Sequence, residues 1–289
     1  MKIIRATHLG MCFGVRDAIA LALRQAESGP ISILGDLVHN ETVLQNLRSK
    51  GVKIEHQEAE ISSDRVMVSA HGTSEKTLQT LQERGFQVFE ATCPLVHYAH
   101  RAVAALVKDG YHPVIIGKKD HVEVRGLTGD LQAFDVVLTP GDVMKLPHHP
   151  KYGVACQTTQ PIEHARHLSR LLENRFPNSE VRFMDTVCQP TKQRQSAAVD
   201  LAKQSDVVVV IGGAHSNNTH ELVRTCQRYC DRVHHVQTAH DLKLEWFRGY
   251  QTIGITAGTS TPDQTIAEVE SWIRQQVETV NESTPSIAA

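Results

Sequence analysis

The sequence lacks the features of nucleic-acid-binding and membrane-spanning proteins. Its 289 residues hold 30 Lys plus Arg against 32 Asp plus Glu, a net charge of −2. Binding to a phosphate backbone needs a basic surface, so nucleic acid is not expected to be the main partner. No apolar run approaches the ~20 residues of a membrane span. A membrane is therefore not expected as a partner. Because 40% of the residues are hydrophobic, the chain is expected to fold into packed cores.

Common nucleotide and metal motifs are missing as well. No GxGxxG follows a predicted strand, and Gly117-Lys118 is followed by Lys119, which excludes a dinucleotide fingerprint and a P-loop. Neither HExxH nor a CxxC pair occurs, which argues against a zincin, a zinc ribbon or a thioredoxin-type site. The amino terminus shows no signal-peptide segment, which predicts a cytoplasmic protein with reduced cysteines.

What the sequence does contain is a threefold repeat of predicted elements. Cys12, Cys93 and Cys188 each precede a predicted helix, and a short apolar strand begins 19 or 20 residues after each cysteine. Two further strands and helical material follow, and a last strand leads back to the next cysteine. The predicted helices after the cysteines are Phe13–Glu27, Pro94–Lys108 and Gln189–Gln204. The predicted strands are Lys2–Arg5, Ile31–Leu34, Val52–Ile54, Val66–Ser69, Phe86–Phe89, Pro113–Ile116, Val136–Leu138, Tyr152–Ala155, Val181–Met184, Val207–Ile211, Val233–Val236 and Thr252–Thr256.

This alternation of strands and helices predicts an α/β fold with mostly parallel sheets. Three pseudo-equivalent α/β units are expected to pack around a common axis, since each is too small for a comfortable core of its own. The strand at Lys2–Arg5 is predicted to complete the third unit. The predicted boundaries are 14–93 for the first unit, 94–186 for the second, 187–281 with 1–13 for the third, and 282–289 for a tail.

Small polar segments follow six of the predicted strands, where parallel sheets bind ligands. Histidine recurs in four of these segments, more often than turn formation requires. Together they make a rim rich in hydrogen-bond donors, which suits a small polyanion and is helped by following helix N-termini. Glu123, two residues from His121, is a candidate proton donor. The rim residues are His39, His71, His121, Thr158, Ser216, Asn218 and Ser260.

The three repeat cysteines are candidate metal ligands. Equivalent positions in three units are expected to converge, and three thiolates favour a soft metal, an iron–sulfur cluster or, with a histidine, zinc. A cubane cluster with three cysteines would keep one iron open for substrate. The other three cysteines are predicted to be core residues, although two of them lie four residues apart on a predicted helix. These are Cys156, Cys226 and Cys230.

Taken together, these segments resemble the LytB/IspH family of 4-hydroxy-3-methylbut-2-enyl diphosphate reductases. The matching motifs span residues 10–262 in the family's order. Two departures touch no functional position that we can name: Val122 stands where proline is common, and His97-Tyr98-Ala99 stands where a Thr-Lys pair is frequent. The motifs are Gly10-Met11-Cys12-Phe13-Gly14-Val15, Val38-His39-Asn40, Ser69-Ala70-His71-Gly72, Ala91-Thr92-Cys93-Pro94-Leu95-Val96, His121-Val122-Glu123 with Gly126, Gln157-Thr158-Thr159, Asp185-Thr186-Val187-Cys188 with Thr191, Arg194 and Gln195, Ser216-Asn217-Asn218-Thr219, and Thr256-Ala257-Gly258-Thr259-Ser260-Thr261-Pro262.

The resemblance implies a trefoil of α/β units around one [4Fe–4S] cluster, held by Cys12, Cys93 and Cys188 with one open iron site. It implies reductive dehydroxylation of the allylic diphosphate to isopentenyl and dimethylallyl diphosphate, the last step of the non-mevalonate isoprenoid pathway. Electrons are expected from an external donor such as flavodoxin or ferredoxin. The implied catalytic residues are Glu123, Thr158 and His121. The implied substrate ligands are His39, His71, His121, Thr158, Ser216, Asn217, Asn218 and Ser260.

Two other classes of function stay open at this level. One is a zinc-dependent hydrolase that uses the same Cys and His positions. Anaerobic purification separates it from the first, because an iron–sulfur protein is brown with absorption near roughly 400 nm and a zinc protein is colourless. The other is an iron–sulfur sensor that binds a partner and turns nothing over, which a turnover assay with the diphosphate distinguishes.

Overall fold

The computed structural model describes residues 1–282, the last six of them as helical backbone only. Glu282 ends the last helix, and the rest of the tail predicted at 282–289 lies outside the described residues. The strands are β1 (Lys2–Arg5), β2 (Ile31–Leu34), β3 (Val52–Glu55), β4 (Arg65–Val68), β5 (Gln87–Glu90), β6 (His112–Ile116), β7 (Asp135–Val137), β8 (Lys151–Cys156), β9 (Glu180–Phe183), β10 (Val207–Ile211), β11 (Val233–Val236) and β12 (Thr252–Ala257). The α-helices are α1 (Phe13–Glu27), α2 (Glu41–Ser49), α3 (Glu75–Glu83), α4 (Pro94–Lys108), α5 (Val122–Thr128), α6 (Pro140–Val143), α7 (Ile162–Arg175), α8 (Gln189–Ala202), α9 (Asn217–Gln227) and α10 (Asp263–Glu282).

The strands form three four-stranded sheets with one shared topology. The strand orders are β3-β2-β4-β5 in the first sheet, β7-β6-β8-β9 in the second and β11-β10-β12-β1 in the third. Every pairing among the described residues is parallel, and β1 joins β12 with Ile3 opposite Ile253. The predicted α/β class is therefore confirmed, including the N-terminal strand that completes the third sheet. The unit boundaries stay a prediction.

The central strand β10 shows why an apolar β-branched run makes a buried strand. All five residues of this Val-Val-Val-Val-Ile run are fully buried, as expected for a parallel sheet that is covered on both faces. Side chains of a strand alternate between faces. Val207, Val209 and Ile211 pack into one core with Ile266 and Val269 of α10, while the two valines between them pack into a second core with α8 and α9.

The chain divides into two compact units. Met1–Cys12 and the chain from Gln193 onward form one, called here the terminal unit, and Phe13–Lys192 forms the other, the central unit. The third sheet belongs to the terminal unit and the first two sheets to the central unit. Within the described residues, no helix has the length and apolarity to cross a membrane.

Inside the central unit, the loop after β4 packs against α5. The Asp130 carboxylate accepts the main-chain N–H groups of Glu75 (2.8 Å) and Lys76 (3.0 Å) at the start of α3. Gly126 of α5 is also packed tightly, because a Cβ there would lie 3.3 Å from the Cα of Thr73. The end of the first sheet is therefore joined to the end of the second.

Two sequence predictions about helix ends are wrong. The helix predicted at Gln189–Gln204 ends at Ala202, where a three-residue turn joins the N–H of Gln204 to the carbonyl of Leu201 at 3.0 Å. Helix α9 ends at Gln227, so Cys230 is not on one helix with Cys226. Instead, the thiol of Cys230 lies 3.4 Å from the carbonyl oxygen of Arg232. Local turns that the apolar spacing does not encode set both ends.

Candidate active site

The central unit brings three imidazoles together. His39 follows β2, His71 follows β4, and His121 lies between β6 and α5. The ring centroids of His39 and His71 are 4.4 Å apart, and His121 lies edge-on at 5.1 Å from His39 and 5.4 Å from His71. A small ligand reaching this cluster would therefore meet three ring N–H donors from the ends of three strands.

Burial keeps two of these imidazoles neutral in the free protein. It lowers the pKa of His71 well below the ordinary value and that of His121 to about 3, and the neighbouring imidazoles add to both shifts. Nε2 of His71 is buried and has no hydrogen-bond partner in the described structure. A buried polar atom of this kind is costly unless a ligand pairs with it.

His121 also caps the helix that carries Glu123. Its Nδ1 accepts the main-chain N–H of Glu123 at 3.1 Å. A neutral imidazole carries one proton, so this bond assigns it to Nε2. The cap therefore leaves His121 with an outward N–H donor, which suits an anionic ligand.

Glu123 is the most distinctive acid of the candidate site. Its side chain is buried, with Oε1 accepting the main-chain N–H of Thr158 at 2.5 Å and Oε2 accepting the Thr158 hydroxyl at 3.0 Å. Burial raises the pKa of Glu123 to about 7 even though both hydrogen bonds lower it. A carboxyl group with this pKa exists in both protonation states near neutral pH, as a proton donor requires.

The remaining predicted ligands lie in the terminal unit, at the ends of β10 and β12. Ser216 caps α9, its Oγ accepting the N–H of Thr219 at 3.3 Å, which leaves the hydroxyl proton for another acceptor. Asn217 begins the same helix and is partly buried. Asn218 is 2% exposed, and neither atom of its amide group has a partner among the described residues. Ser260 is buried in the loop after β12.

Two glycines let these loops approach, a feature that the sequence analysis missed. A Cβ on Gly212 would lie 2.3 Å from Oγ1 of Thr219, and one on Gly258 would lie 2.2 Å from the same atom. Any side chain at either position would collide with α9 and displace Asn218 beside it. The sequence shows a glycine directly after β10 and another directly after β12. The close approach of these glycines to Thr219 is seen only in the tertiary structure.

The three repeat cysteines have equivalent backbone surroundings. Cys12, Cys93 and Cys188 directly precede α1, α4 and α8. Each donates its main-chain N–H to the loop after the third strand of a sheet. The acceptors are the carbonyl oxygens of Thr259 (3.0 Å), Ala70 (3.1 Å) and Thr158 (3.0 Å), respectively. The repeat thus extends from the order of elements to individual hydrogen bonds.

These surroundings fit a thiolate-bound metal centre. All three cysteines are partly exposed, whereas Cys156, Cys226 and Cys230 are buried in cores. Gly14 makes room for the thiol of Cys93, because a Cβ at Gly14 would lie 2.5 Å from its Sγ. Accessible thiols are the ligands that iron–sulfur clusters and soft metals bind.

Gly14→Ala is therefore expected to impair the retention of iron. The added methyl group overlaps the thiol of Cys93, and overpacking of this kind costs about 1–3 kcal/mol or displaces the side chain. We expect roughly half or less of the wild-type iron and sulfide per chain. The control is Gly141→Ala, where the nearest atom to a Cβ lies at 3.6 Å. Equal iron content in both variants would show that the space beside Cys93 is not needed.

Comparison with known proteins shows the family of this chain. The sequence profile of the LytB protein family matches residues 3–274. The chain belongs to the LytB family. Its relatives include the 4-hydroxy-3-methylbut-2-enyl diphosphate reductases of Caldanaerobacter subterraneus and Aquifex aeolicus. Each is 36% identical over 282 residues, covering 95% of this chain and 97% and 96% of those proteins, respectively.

Solved structures extend the likeness of this LytB-family chain to the fold. A structure of (E)-4-hydroxy-3-methyl-but-2-enyl diphosphate reductase, described as the terminal enzyme of the non-mevalonate pathway, matches at 35% identity. The TM-score is 0.69, and the match covers 95% of this chain and 99% of that one. The E-1-hydroxy-2-methyl-but-2-enyl-4-diphosphate reductase of Plasmodium falciparum matches with a TM-score of 0.87. The two sequences are 26% identical, and the match covers 98% of this chain and 89% of that one.

Proposed function

We propose that this chain reduces 4-hydroxy-3-methylbut-2-enyl diphosphate to isopentenyl and dimethylallyl diphosphate, the last step of the non-mevalonate isoprenoid pathway. One observation carries the proposal. In a chain of the LytB family, a cluster of three imidazoles lies in the same unit as a buried carboxyl group, Glu123, with a raised pKa. Besides ligands for a metal centre, this reaction needs donors that bind the anion and an acid that supplies a proton.

In this proposal the diphosphate is the ligand of the imidazole cluster. In the free protein the imidazoles are neutral, and each can donate one N–H group to an anion. Once the diphosphate is bound, its negative charge favours the protonated imidazolium form. The unpartnered amide of Asn218 and the hydroxyl proton of Ser216 supply further donors, and Asn217 and Ser260 are proposed to add to them. The proposal assigns all of these residues to one substrate.

The group that fits the three cysteines is a [4Fe–4S] cluster, which Cys12, Cys93 and Cys188 would hold. When bound, it supplies electrons and a Lewis-acidic iron to the allylic alcohol. The sequence has no dinucleotide fingerprint, so the electrons are proposed to come from an external protein such as flavodoxin or ferredoxin. No disulfide joins any of the cysteines in the described structure, which supports a place in the reducing cytoplasm.

Glu123 is proposed to hold and deliver a proton. The reaction consumes two electrons and two protons: one proton leaves with the hydroxyl group as water, and the other adds to carbon. Thr158 donates its main-chain N–H and its hydroxyl to Glu123, which fixes the carboxyl group and provides an Oγ that can relay the proton. His121 orients the same segment through its bond to the Glu123 N–H, so it binds the anion without acting as the acid.

Anaerobic purification followed by a turnover assay tests the proposal. We expect a brown protein that consumes two one-electron equivalents of reduced methyl viologen for each diphosphate converted. A zinc hydrolase would be colourless and would release phosphate without a reductant. An iron–sulfur sensor would be brown and would oxidise no viologen, so either result would refute the proposed reaction.

Inorganic diphosphate is expected to bind with uptake of protons. The pKa values of His71 and His121 lie below 7 in the free protein, and a bound polyanion raises them, so protons enter the site as the ligand binds. Calorimetry in buffers of different ionisation enthalpy measures this uptake at pH 7. Monophosphate, which reaches fewer donors, is the control and should compete with substrate at least about ten-fold less well. Equal competition by both anions, or binding without proton uptake, would contradict the assigned pocket.

A further inference from the structure

A further group of side chains that can bind a metal ion lies at the second sheet. His112 opens β6, Asp135 opens β7, and His149 lies two residues before β8. Nε2 of His112 is 2.8 Å from Oδ2 of Asp135, and the rings of His112 and His149 are stacked with centroids 3.8 Å apart. One ligand atom from each of the three residues lies within 4.8 Å of the other two.

This group is separate from the candidate active site. It lies at the amino-terminal edge of the second sheet, whereas His121 and Thr158 follow the carboxyl ends of β6 and β8. The five residues of β6 run between the two edges, a distance of roughly 13 Å at about 3.3 Å per residue. Nothing in the proposed reaction uses these side chains.

The backbone holds the three side chains in place. Asp135 is paired with Val114, which shares a sheet face with His112 because side chains alternate along a strand. The N–H of His149 donates to the hydroxyl of Tyr152 at 3.0 Å, and its carbonyl accepts from Ser179 at 2.6 Å. The ligands therefore come from two paired strands and from a loop that is fixed on both sides.

The chemistry of the group suits a first-row divalent metal ion. Two imidazoles and one carboxylate are the donor set that such ions prefer, and it contains too few oxygens for calcium or magnesium. Burial lowers the pKa of His149, and the neighbouring His112 adds to this shift. All three residues are partly exposed, which gives an ion access from solvent.

We propose that His112, Asp135 and His149 form a second metal site, which binds Zn²⁺ or a similar ion with the remaining coordination positions filled by water. Donors around a tetrahedral zinc ion lie roughly 3.4 Å apart, so the present spread must shrink by up to about 1.4 Å. The two rings must also tilt out of their stack to direct both lone pairs at one ion. Binding thus exchanges the ring stack and the His112–Asp135 contact for three bonds to the metal.

Equilibrium dialysis of the cluster-loaded protein against Zn²⁺, followed by measurement of zinc and iron by mass spectrometry, tests this site. We expect about one zinc per chain with the iron content unchanged, and His149→Asn or Asp135→Asn should weaken zinc binding at least ten-fold. The matched control is His148→Asn, an exposed neighbour outside the group, which should bind zinc as the wild type does. His71→Asn, which alters the three-histidine cluster of the candidate active site, should also keep the zinc.

The outcomes that overturn the site are distinct from a failure to fold. Zinc binding equal in His149→Asn and His148→Asn would show that the group is an ion pair with a ring stack and not a metal site. Loss of zinc in His71→Asn alone would place the ion in the imidazole cluster of the candidate active site. Thermal unfolding with and without Zn²⁺ gives a second readout: wild type and His148→Asn should be stabilised, and a folded His149→Asn should not.

Discussion

Replacing Glu123 with glutamine should lower turnover per cluster-loaded chain by about 10²–10⁴-fold, the usual cost of losing a general acid. Glutamine preserves the shape of the side chain, and its oxygen can still accept the main-chain N–H of Thr158. The Thr158 hydroxyl can turn to accept from the new amide. Cluster content and substrate binding are therefore expected to stay near wild type, and turnover normalised to iron is the measurement.

A matched control separates catalysis from the loss of any buried carboxylate. Glu270 is 7% exposed, accepts hydrogen bonds from Arg5 and Arg274, and is not one of the proposed ligands. Glu270→Gln should lower stability and leave normalised turnover unchanged. If Glu123→Gln also keeps turnover within a few-fold of wild type, Glu123 only braces its loop and the proton has another source.

The stability of Glu123→Gln gives a second readout with a defined sign. The pKa of Glu123 is about 7 in the folded protein against an ordinary 4.5 for a glutamate, so the folded protein binds more protons than the unfolded chain between those values. The wild-type side chain therefore loses stabilising effect as pH rises from 4.5 to 7. Relative to wild type, the glutamine variant should gain stability between pH 5 and pH 8 in urea unfolding, and a constant difference would contradict the buried acid.

The cysteine series should divide sharply into two classes. Serine at Cys12, Cys93 or Cys188 should abolish retention of the cluster, because each thiolate is one of only three proposed ligands. Alanine at Cys156 or Cys226 should keep iron and sulfide, since these thiols are buried in cores and burial raises their pKa.

Iron and sulfide per folded chain measure the division. The core variants are the control for general damage, because they lower stability by removing packed atoms while leaving the proposed ligands untouched. A Cys226→Ala variant that loses iron, beside a Cys12→Ser variant that keeps it, would contradict the assignment of ligands.

Much of the fold could be predicted because the apolar spacing is strong and repeated. The run at Val207–Ile211 has the β-branched composition of a strand buried on both faces, and it forms β10 with those bounds. The place of Lys2–Arg5 in the third sheet followed from the repeat alone. Helix ends such as that of α9 were missed, because hydrogen bonds of local turns decide them.

The candidate site could likewise be predicted only where local sequence patterns determine it. Strand ends identified the imidazoles that meet, because the carboxyl ends of parallel strands lie at one edge. The contact of Glu123 with the main-chain N–H of Thr158, 35 residues away, has no local signal. The same is true of Gly212 and Gly258 against Thr219, and of the stacked rings of His112 and His149.

Turnover in D₂O with analysis of the products by mass spectrometry tests the central claim most directly. The cluster-loaded chain, the allylic diphosphate and reduced methyl viologen are the only components needed. We expect isopentenyl and dimethylallyl diphosphate, each with one deuterium on carbon, because the carbon-bound proton comes from solvent through an exchangeable acid. Unchanged substrate, or an alcohol and free phosphate in place of these products, would contradict that claim.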